Sequence, residues 1–190
     1  MIIGLSGSFA AGKDTVARYL VKRGFVYHSL SDLLRQELKA RGKPVTRENL
    51  VEVGNEIREK FGADELARRV LEKITQTGEK NSLCVSIRNP EEVEVLKKNS
   101  PFTLWFVDAP AQIRYKRAAK RSRTDDNFSS FSDFLKREAM ENSANPYHQQ
   151  LKRIAEMADA EIVNDKGIDA LLKTVDELLT EREHKLNERL

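Results

Sequence analysis

The stretch Gly7-Ser8-Phe9-Ala10-Ala11-Gly12-Lys13-Asp14-Thr15 decides the fold of this chain. It follows the apolar run 2–6, which predicts a buried strand, and it leads into residues 15–22, whose apolar positions recur at helical spacing. A glycine loop between a strand and a helix turns backbone N–H groups toward a polyphosphate, and a lysine there reaches the outer phosphates. This P-loop pattern, G-x-x-x-x-G-K-[ST], predicts a phosphate site formed by Gly7, Ser8, Ala10, Ala11, Gly12, Lys13, Asp14 and Thr15.

Asp14 departs from that pattern, which has a serine or threonine hydroxyl as a Mg²⁺ ligand at this position. A carboxylate is also an oxygen ligand of Mg²⁺. The third apolar run, 83–87, is not followed by the acid that P-loop chains usually supply from a neighbouring strand. We therefore expect Asp14 to help hold Mg²⁺. An acid favoured by the dipole in the first turn of a helix is the alternative.

Short apolar runs alternate with long amphipathic stretches along the whole chain. The runs are 2–6, 25–29, 83–87, 103–107 and 161–164. Continuous apolar strands separated by helices predict a parallel sheet that is covered on both faces. We expect one α/β domain, residues 1–190, with a three-layer α/β/α fold and a five-stranded parallel sheet. Its core is 1–30, 81–111 and 158–190, and the two longer connections are 31–80 and 112–157.

Composition excludes several classes of protein. The 190 residues are 39% hydrophobic and 33% charged, which is enough apolar material for a core and excludes a wholly disordered chain. Lysine and arginine number 33 against 30 acids, and a net charge of +3 gives no reason to expect a nucleic-acid partner. No apolar run approaches the roughly 20 residues that span a bilayer. With a single cysteine, the chain is expected in the cytoplasm, as a monomer or small homo-oligomer.

Several segments, in order, resemble those of P-loop nucleoside-monophosphate kinases. They are the P-loop, residues 29–35 (Ser-Leu-Ser-Asp-Leu-Leu-Arg), Ser86-Ile87-Arg88 and the arginine-rich stretch 114–123. Within them, residues 31–35 (Ser-Asp-Leu-Leu-Arg) look like the adenylate kinase segment whose arginine holds the acceptor phosphate. The Gly-Lys-Asp variant is similar to phage deoxynucleoside monophosphate kinases and phosphomevalonate kinases. Residues 158–165 resemble dephospho-coenzyme A kinase, and an uncharacterised archaeal kinase-like family has a similar layout.

The resemblance implies a fold and a reaction. It implies an adenylate kinase-like strand order with the first strand central, an acceptor-binding insert at 31–80 and a lid at 112–157. ATP, with Mg²⁺, would give its γ-phosphoryl group to a small phosphorylated acceptor, a nucleoside or deoxynucleoside monophosphate. The partners expected are therefore ATP and that acceptor, with no membrane. Lys13 would act in catalysis, and the loop that begins at Asn164 would lie near the adenine.

Acceptor residues are expected after the second and third strands. Arg35 and Asp32 lie one helical turn apart, where the carboxyl end of a strand borders the ligand crevice. An arginine there offers two parallel donors to a phosphate, and Asp32 would orient the acceptor, take its proton or hold Mg²⁺ through water. Capping of the helix is the alternative for Asp32. By resemblance, Arg88 grips the acceptor phosphate and acts in catalysis, and Arg58 is a polar candidate within the insert.

The basic stretch 112–123 predicts a cationic row. Arg114, Arg117 and Arg121 recur at i, i+3 and i+7 and so share a helical face. By resemblance this is the lid, with Arg117 and Arg121 closing over the transferred group and Arg117 also contacting ATP. A row of charges is also what an ordinary solvated face shows.

Two other functions are also compatible with the sequence. A dephospho-coenzyme A kinase would use a ribose hydroxyl as acceptor, which makes Asp32 a true base. A nucleotide-dependent assembly factor would bind ATP and a protein or RNA partner, in keeping with the basic stretch 114–123.

Overall fold

The architecture rests on one parallel sheet. The computed structural model describes residues 1–120 and 128–188. Within them the strands are β1 (Ile2–Gly7), β2 (Val26–Ser29), β3 (Ser82–Val85), β4 (Phe102–Asp108) and β5 (Ala160–Val163), in the order β2-β3-β1-β4-β5. Each neighbouring pair is parallel. The five-stranded parallel sheet with a central first strand is thereby confirmed.

Helices cover both faces of the sheet. They are α1 (Lys13–Lys22), α2 (Leu30–Ala40), α3 (Arg47–Phe61), α4 (Glu65–Thr77), α5 (Pro90–Asn99), α6 (Ala111–Lys120), α7 (Phe131–Ala139), α8 (Leu151–Glu156) and α9 (Ile168–Asn187). They lie where the periodicity predicts helices, and the predicted end of the basic helix, at residue 123, lies outside the described residues.

Successive side chains of each strand point to opposite faces of the sheet and belong to two separate hydrophobic cores. Ile3 and Leu5 of β1 belong to the core beneath α1 and α9, whereas Ile2 belongs to the core beneath α2, α3, α4, α5 and α8. Trp105 and Leu104 of β4 divide between the two cores in the same way. Successive side chains of a strand point to opposite faces, so a continuous apolar run fills both layers. The three-layer α/β/α fold is confirmed.

Local signals set the helix boundaries in the first long connection. The Thr46 hydroxyl accepts a hydrogen bond of 3.2 Å from the Asn49 N–H and caps α3. Gly78, in the left-handed region at φ 65°, ends α4. These boundaries place α2, α3 and α4 beside one another, next to the carboxyl end of β2.

No helix among residues 1–120 and 128–188 is long and apolar enough to cross a membrane.

The burial of Cys84, the single cysteine, predicts that its thiol is unreactive in the folded protein. Cys84 lies within β3, and burial raises the pKa of its thiol to about 12, with a smaller contribution from Glu79. Because the thiolate is the nucleophile, we expect iodoacetamide at pH 8 to leave Cys84 unmodified in the folded protein and to modify it fully in denaturant. Mass spectrometry measures both. Rapid modification of the folded protein would contradict the burial of this strand.

Candidate functional site

The P-loop lies close against β4 and β5. Gly7 has φ 147°, and a Cβ on it would stand 2.1 Å from the Val107 carbonyl oxygen. Gly12 has φ 112°, and its Cβ would stand 2.4 Å from Asn164 Nδ2. The Ser8 N–H donates to the same Val107 oxygen at 3.1 Å. Glycine is therefore required at both ends of the loop, by space as well as by backbone conformation.

The loop presents donors to an anion. Gly12 is the N-cap of α1 and has no side chain to occupy the N–H groups of the first turn. Lys13 Nζ donates to the carbonyl oxygens of Gly7 and Ser8, both at 2.7 Å, so the ammonium lies across the loop. A helix N-terminus with a lysine beside it suits a phosphate. The residues present therefore fit a nucleotide phosphate chain.

Asn164 and Arg117 brace the P-loop from its outer side. Asn164 is buried at the end of β5, and its Nδ2 donates to the Ala11 carbonyl oxygen at 2.7 Å. Arg117 Nη1 donates to the same oxygen at 3.3 Å, and Nη2 donates to the Asn164 carbonyl oxygen at 3.0 Å. Both predicted nucleotide-binding residues thus contact the loop, and their contact with a nucleotide stays a prediction. Arg121 lies outside the described residues.

Arg114 contacts both α7 and the P-loop. It is buried, its Nε donates to the Ala109 carbonyl oxygen at 2.7 Å, and its guanidinium pairs with Glu138 and lies 5.6 Å from the Phe134 ring centroid. Both of these partners belong to α7. Arg114 Nη1 also donates to the Phe9 carbonyl oxygen at 3.4 Å. Arg114 and Arg117 therefore both contact the P-loop, and Arg114 in addition holds α6 against α7.

A cleft of about 930 Å³ adjoins the P-loop. Its walls come from the loop, α2, α3 and the segment around residues 137–149. Cationic side chains that line it are Lys13, Arg35, Arg47, Arg58, Arg88 and Arg137. The apolar lining is Leu30, Leu34, Leu50, Val51, Leu66 and Met140, and carboxylates come from Asp14, Glu48, Glu52 and Glu141. Such walls suit a ligand with an anionic end and an apolar body.

The two residues predicted on α2 pair with each other, and only Arg35 lines the cleft. Arg35 lines the cleft and donates to Ser31 Oγ at 2.6 Å and to Asp32 Oδ1 at 2.8 Å. The Asp32 side chain is 53% exposed and is not part of the cleft lining. Arg88 lines the cleft, and its Nη1 lies 3.3 Å from Glu141 Oε1. Arg35 and Arg88 therefore both line the cleft, and their contact with an acceptor anion stays a prediction.

Arg58 has a structural partner. The residue is 2% exposed, and its Nε donates to Glu92 Oε1 at 2.9 Å. Glu92 is also fully buried, and its Oε2 accepts from the backbone N–H groups of Arg88 at 2.7 Å and Asn89 at 3.0 Å. Arg58 therefore fixes the segment that carries Arg88, in addition to reaching the cleft. Its contact with a substrate stays a prediction.

Arg47 and Glu141 are site residues that the sequence analysis did not identify. Arg47 begins α3, its guanidinium lies 5.0 Å from the Phe9 ring centroid, and its Nη2 donates to Glu141 Oε1 at 2.7 Å. A cation in the first turn of a helix is unfavourable because of the helix dipole. The position of Arg47 in the sequence therefore indicated an acidic partner outside the helix. Glu141 carried none, because its partners lie far away in the sequence.

The end of β3 has hydroxyl groups where an acid is usual. Ser86 has φ 64°, and its Oγ lies 3.3 Å from both Ser29 Oγ and Ser31 Oγ. Ser86 also lines the cleft. A non-glycine residue in the left-handed region at a binding cleft is a feature associated with function.

Asp14 meets the requirement for a magnesium ligand. No group of three or more His, Cys, Asp or Glu that could hold a metal occurs in the described part of the chain. Mg²⁺ at a kinase site needs only one or two carboxylates, since substrate phosphates and water complete the shell. Asp14 is exposed in the first turn of α1 and lines the cleft. It therefore fits Mg²⁺ held beside a nucleotide.

The sheet order and the glycine loop define a P-loop α/β protein with a kinase-like fold. The sequence profile of the family described as "AAA domain" matches residues 3–132. A "UPF0200 protein" of Pyrococcus furiosus is 31% identical over 185 residues, which are 95% of this chain and 96% of that one. This chain therefore belongs to the UPF0200 family, and its residues 3–132 belong to the AAA domain family. A "UPF0200/UPF0201 protein" of Archaeoglobus fulgidus is 31% identical over 94% of this chain, which spans 54% of that longer relative.

Solved structures show the same fold. A Thermus thermophilus protein superposes with a TM-score of 0.63 at 19% identity, over 95% of this chain and 97% of its own. The shikimate kinase of Aquifex aeolicus superposes with a TM-score of 0.54 at 18% identity, over 98% of both chains. The expected likeness to P-loop kinases is confirmed at the level of the fold.

The brace behind the P-loop is testable. Asn164→Ala removes the hydrogen bond to the buried Ala11 carbonyl, so we expect the free energy of unfolding to fall by roughly 1–3 kcal/mol and nucleotide affinity to fall with it. Urea denaturation and calorimetry with ATP measure the two effects. Asn99→Ala is the control, because it removes a side-chain bond of 2.7 Å to Val95 on the exposed end of α5. Equal effects of the two variants would contradict the brace.

The buried ion pair gives a second prediction. Arg58→Leu leaves Glu92 without its guanidinium partner in the interior, and we expect a loss of about 3–5 kcal/mol in the free energy of unfolding. Arg69→Leu breaks an exposed pair with Glu65 on α4 and should cost about 1 kcal/mol or less. Urea denaturation compares the two variants. An unchanged stability for Arg58→Leu would contradict the structural role.

Proposed function

We propose that this protein is a kinase that moves the γ-phosphoryl group of ATP to a nucleoside or deoxynucleoside monophosphate. One observation carries the proposal. The cleft that begins at Lys13 of the P-loop is lined both by cationic side chains and by apolar residues of α2 and α3. The cations suit the phosphate of a nucleoside monophosphate, and the apolar residues suit its base. The volume is also within the range of roughly 300–1,000 Å³ that small-molecule sites occupy.

The P-loop side is assigned to the donor. ATP with Mg²⁺ supplies the phosphoryl group when bound. The backbone of residues 7–15 holds the phosphates, and Lys13 neutralises charge at the outer ones. Asp14 is assigned to the metal, and Thr15 beside it lies in the same first turn. Asn164 and Arg117 keep the loop in shape and are assigned to the nucleotide.

The opposite wall is assigned to the acceptor. Arg35 and Arg88 have the planar geometry that binds a phosphate through two parallel hydrogen bonds. Charge and position are what such a reaction needs, because phosphoryl transfer is catalysed mostly by positioning and electrostatic stabilisation. Arg117 and Arg121 are assigned to closure over the transferred group, as the resemblance implies.

The position of Asp32 favours a phosphate acceptor over a hydroxyl acceptor. A phosphate that is ionised near pH 7 attacks without a strong base, whereas a hydroxyl needs one. Asp32 is exposed, pairs with Arg35 and stays outside the cleft lining. This observation supports the monophosphate kinase over the dephospho-coenzyme A kinase. A reaction that consumes ATP also accords with the cytoplasmic location expected from the sequence.

The test measures ADP release with ATP and Mg²⁺ alone, then with each of a panel of nucleoside and deoxynucleoside monophosphates, and then with dephospho-coenzyme A. We expect at least one monophosphate to raise turnover well above the acceptor-free rate. Lys13→Ala should lower that turnover by roughly 10²–10³-fold, as the loss of one charge-stabilising donor does elsewhere. Lys22→Ala, at the exposed end of the same helix, should leave it unchanged.

Two other results of this assay would contradict the monophosphate kinase. Stimulation by dephospho-coenzyme A alone would favour the hydroxyl acceptor and bring Asp32 back as a base. ADP release that no acceptor raises would refute the kinase and favour a nucleotide-dependent assembly factor.

A further inference from the structure

Arg47 and Arg88 meet at one carboxylate. Arg47 Nη2 donates to Glu141 Oε1 at 2.7 Å, and Arg88 Nη1 lies 3.3 Å from the same oxygen. The Glu141 side chain is 6% exposed, whereas the side chains of Arg47 and Arg88 are 28% and 27% exposed. Two guanidinium groups that reach one oxygen atom lie close to each other, so a single anion in the cleft can contact both.

Both arginines keep N–H donors that the protein does not use. A guanidinium has five such donors. Nε and Nη1 of Arg47, and Nε and Nη2 of Arg88, make no hydrogen bond within residues 1–120 and 128–188, and all four nitrogens retain accessible surface. Both residues line the cleft. Accessible donors of both guanidinium groups are therefore available to a ligand there.

The charges at this point of the cleft do not balance. Glu141 supplies one negative charge to two guanidinium groups. Arg47 also lies in the first turn of α3, where the helix dipole disfavours a cation. Glu48 and Glu52 of α3 line the cleft as well, but within the described part of the chain neither forms an ion pair with these arginines. The excess positive charge favours an anion beside the two guanidinium groups.

Phe9 places Arg47 beside the P-loop. The Arg47 guanidinium lies 5.0 Å from the Phe9 ring centroid, and Phe9 lines the same cleft as Lys13. Arg88, in contrast, follows β3 at the carboxyl edge of the sheet. An anion that contacts both arginines therefore lies between the P-loop and the end of β3. Phosphoryl transfer needs its acceptor close to the γ-phosphoryl group of ATP, which is the same place.

We infer that Arg47 binds the phosphate of the acceptor together with Arg88, through the accessible nitrogens of the two guanidinium groups. This rests on the proposed function, which assigned that phosphate to Arg35 and Arg88. Arg47 is a substrate-binding residue in this account, and α3 carries it to the site. Because its contact is with the acceptor, ATP binds equally well without it.

Binding measurements test the inference without turnover. Calorimetry with the full chain measures the affinity for AMP, GMP, CMP and UMP while Mg²⁺ and a non-hydrolysable ATP analogue fill the P-loop. For the monophosphate that binds best, Arg47→Ala should weaken binding by roughly 10- to 100-fold, the usual worth of a hydrogen bond to a charged group. Affinity for the ATP analogue should stay unchanged. An unchanged affinity for the monophosphate, or an equal loss for both ligands, would overturn the inference.

A matched variant and a spectroscopic signal distinguish contact from structural support. Arg41→Ala removes an arginine that pairs with Glu37 and Glu56 outside the cleft lining, and it should leave both affinities unchanged. In ¹H–¹⁵N spectra the Arg47 Nε–H signal, identified by its absence from Arg47→Lys, should shift when the monophosphate is added. A signal that stays in place would overturn the inference. If Arg47→Ala fails to fold by circular dichroism, Arg47→Lys, which keeps a cation beside Glu141, should show the same selective loss.

ADP release separates this inference from the proposed function. Turnover with a monophosphate that binds Arg47→Ala as well as the unaltered protein would leave the kinase standing and remove the role of Arg47. Monophosphate binding that Arg47→Ala weakens selectively, without any ADP release, would keep the phosphate site and refute the kinase. Absence of binding by every monophosphate would overturn both.

Discussion

The close approach of the P-loop to the ends of β4 and β5 is the constraint on which the rest of the structure depends. A side chain on Gly7 would overlap the Val107 carbonyl, and one on Gly12 would overlap Asn164. The strand order brings this about, because β1 is central and β4 and β5 follow it on one side. The loop is consequently held from behind by Asn164 and Arg117, and its N–H groups are left to face the cleft.

Carboxylate partners decide what each arginine does. Arg58 is bound to Glu92 and supports the end of β3, and Arg114 is bound to Glu138 and joins two helices. Arg35 instead pairs with the exposed Asp32 and still lines the cleft. Charge in itself is therefore a poor guide to a phosphate site in this protein.

Phe9 connects the two sides of the cleft. Its ring lies beneath the Arg47 guanidinium at the start of α3 and also packs edge-on against Phe128, with ring centroids 5.7 Å apart. Phe9 belongs to the P-loop, so the P-loop, the start of α3 and the aromatic side chains around α7 meet at one residue. The P-loop therefore contacts α3 through Phe9 and the sheet through Gly7 and Ser8.

The amino-acid sequence by itself determined the P-loop, the parallel sheet and the helix that begins at Pro90, because each depends on local sterics or on periodicity. It also pointed to Arg35 and Arg88, since the carboxyl ends of parallel strands meet at one edge. Only the tertiary structure decided which cations reach the cleft. Arg58 and Glu92 are 34 residues apart, and Arg47 and Glu141 are 94 apart. No local pattern connects residues at such separations, because packing of distant elements selects the partner of a buried charge.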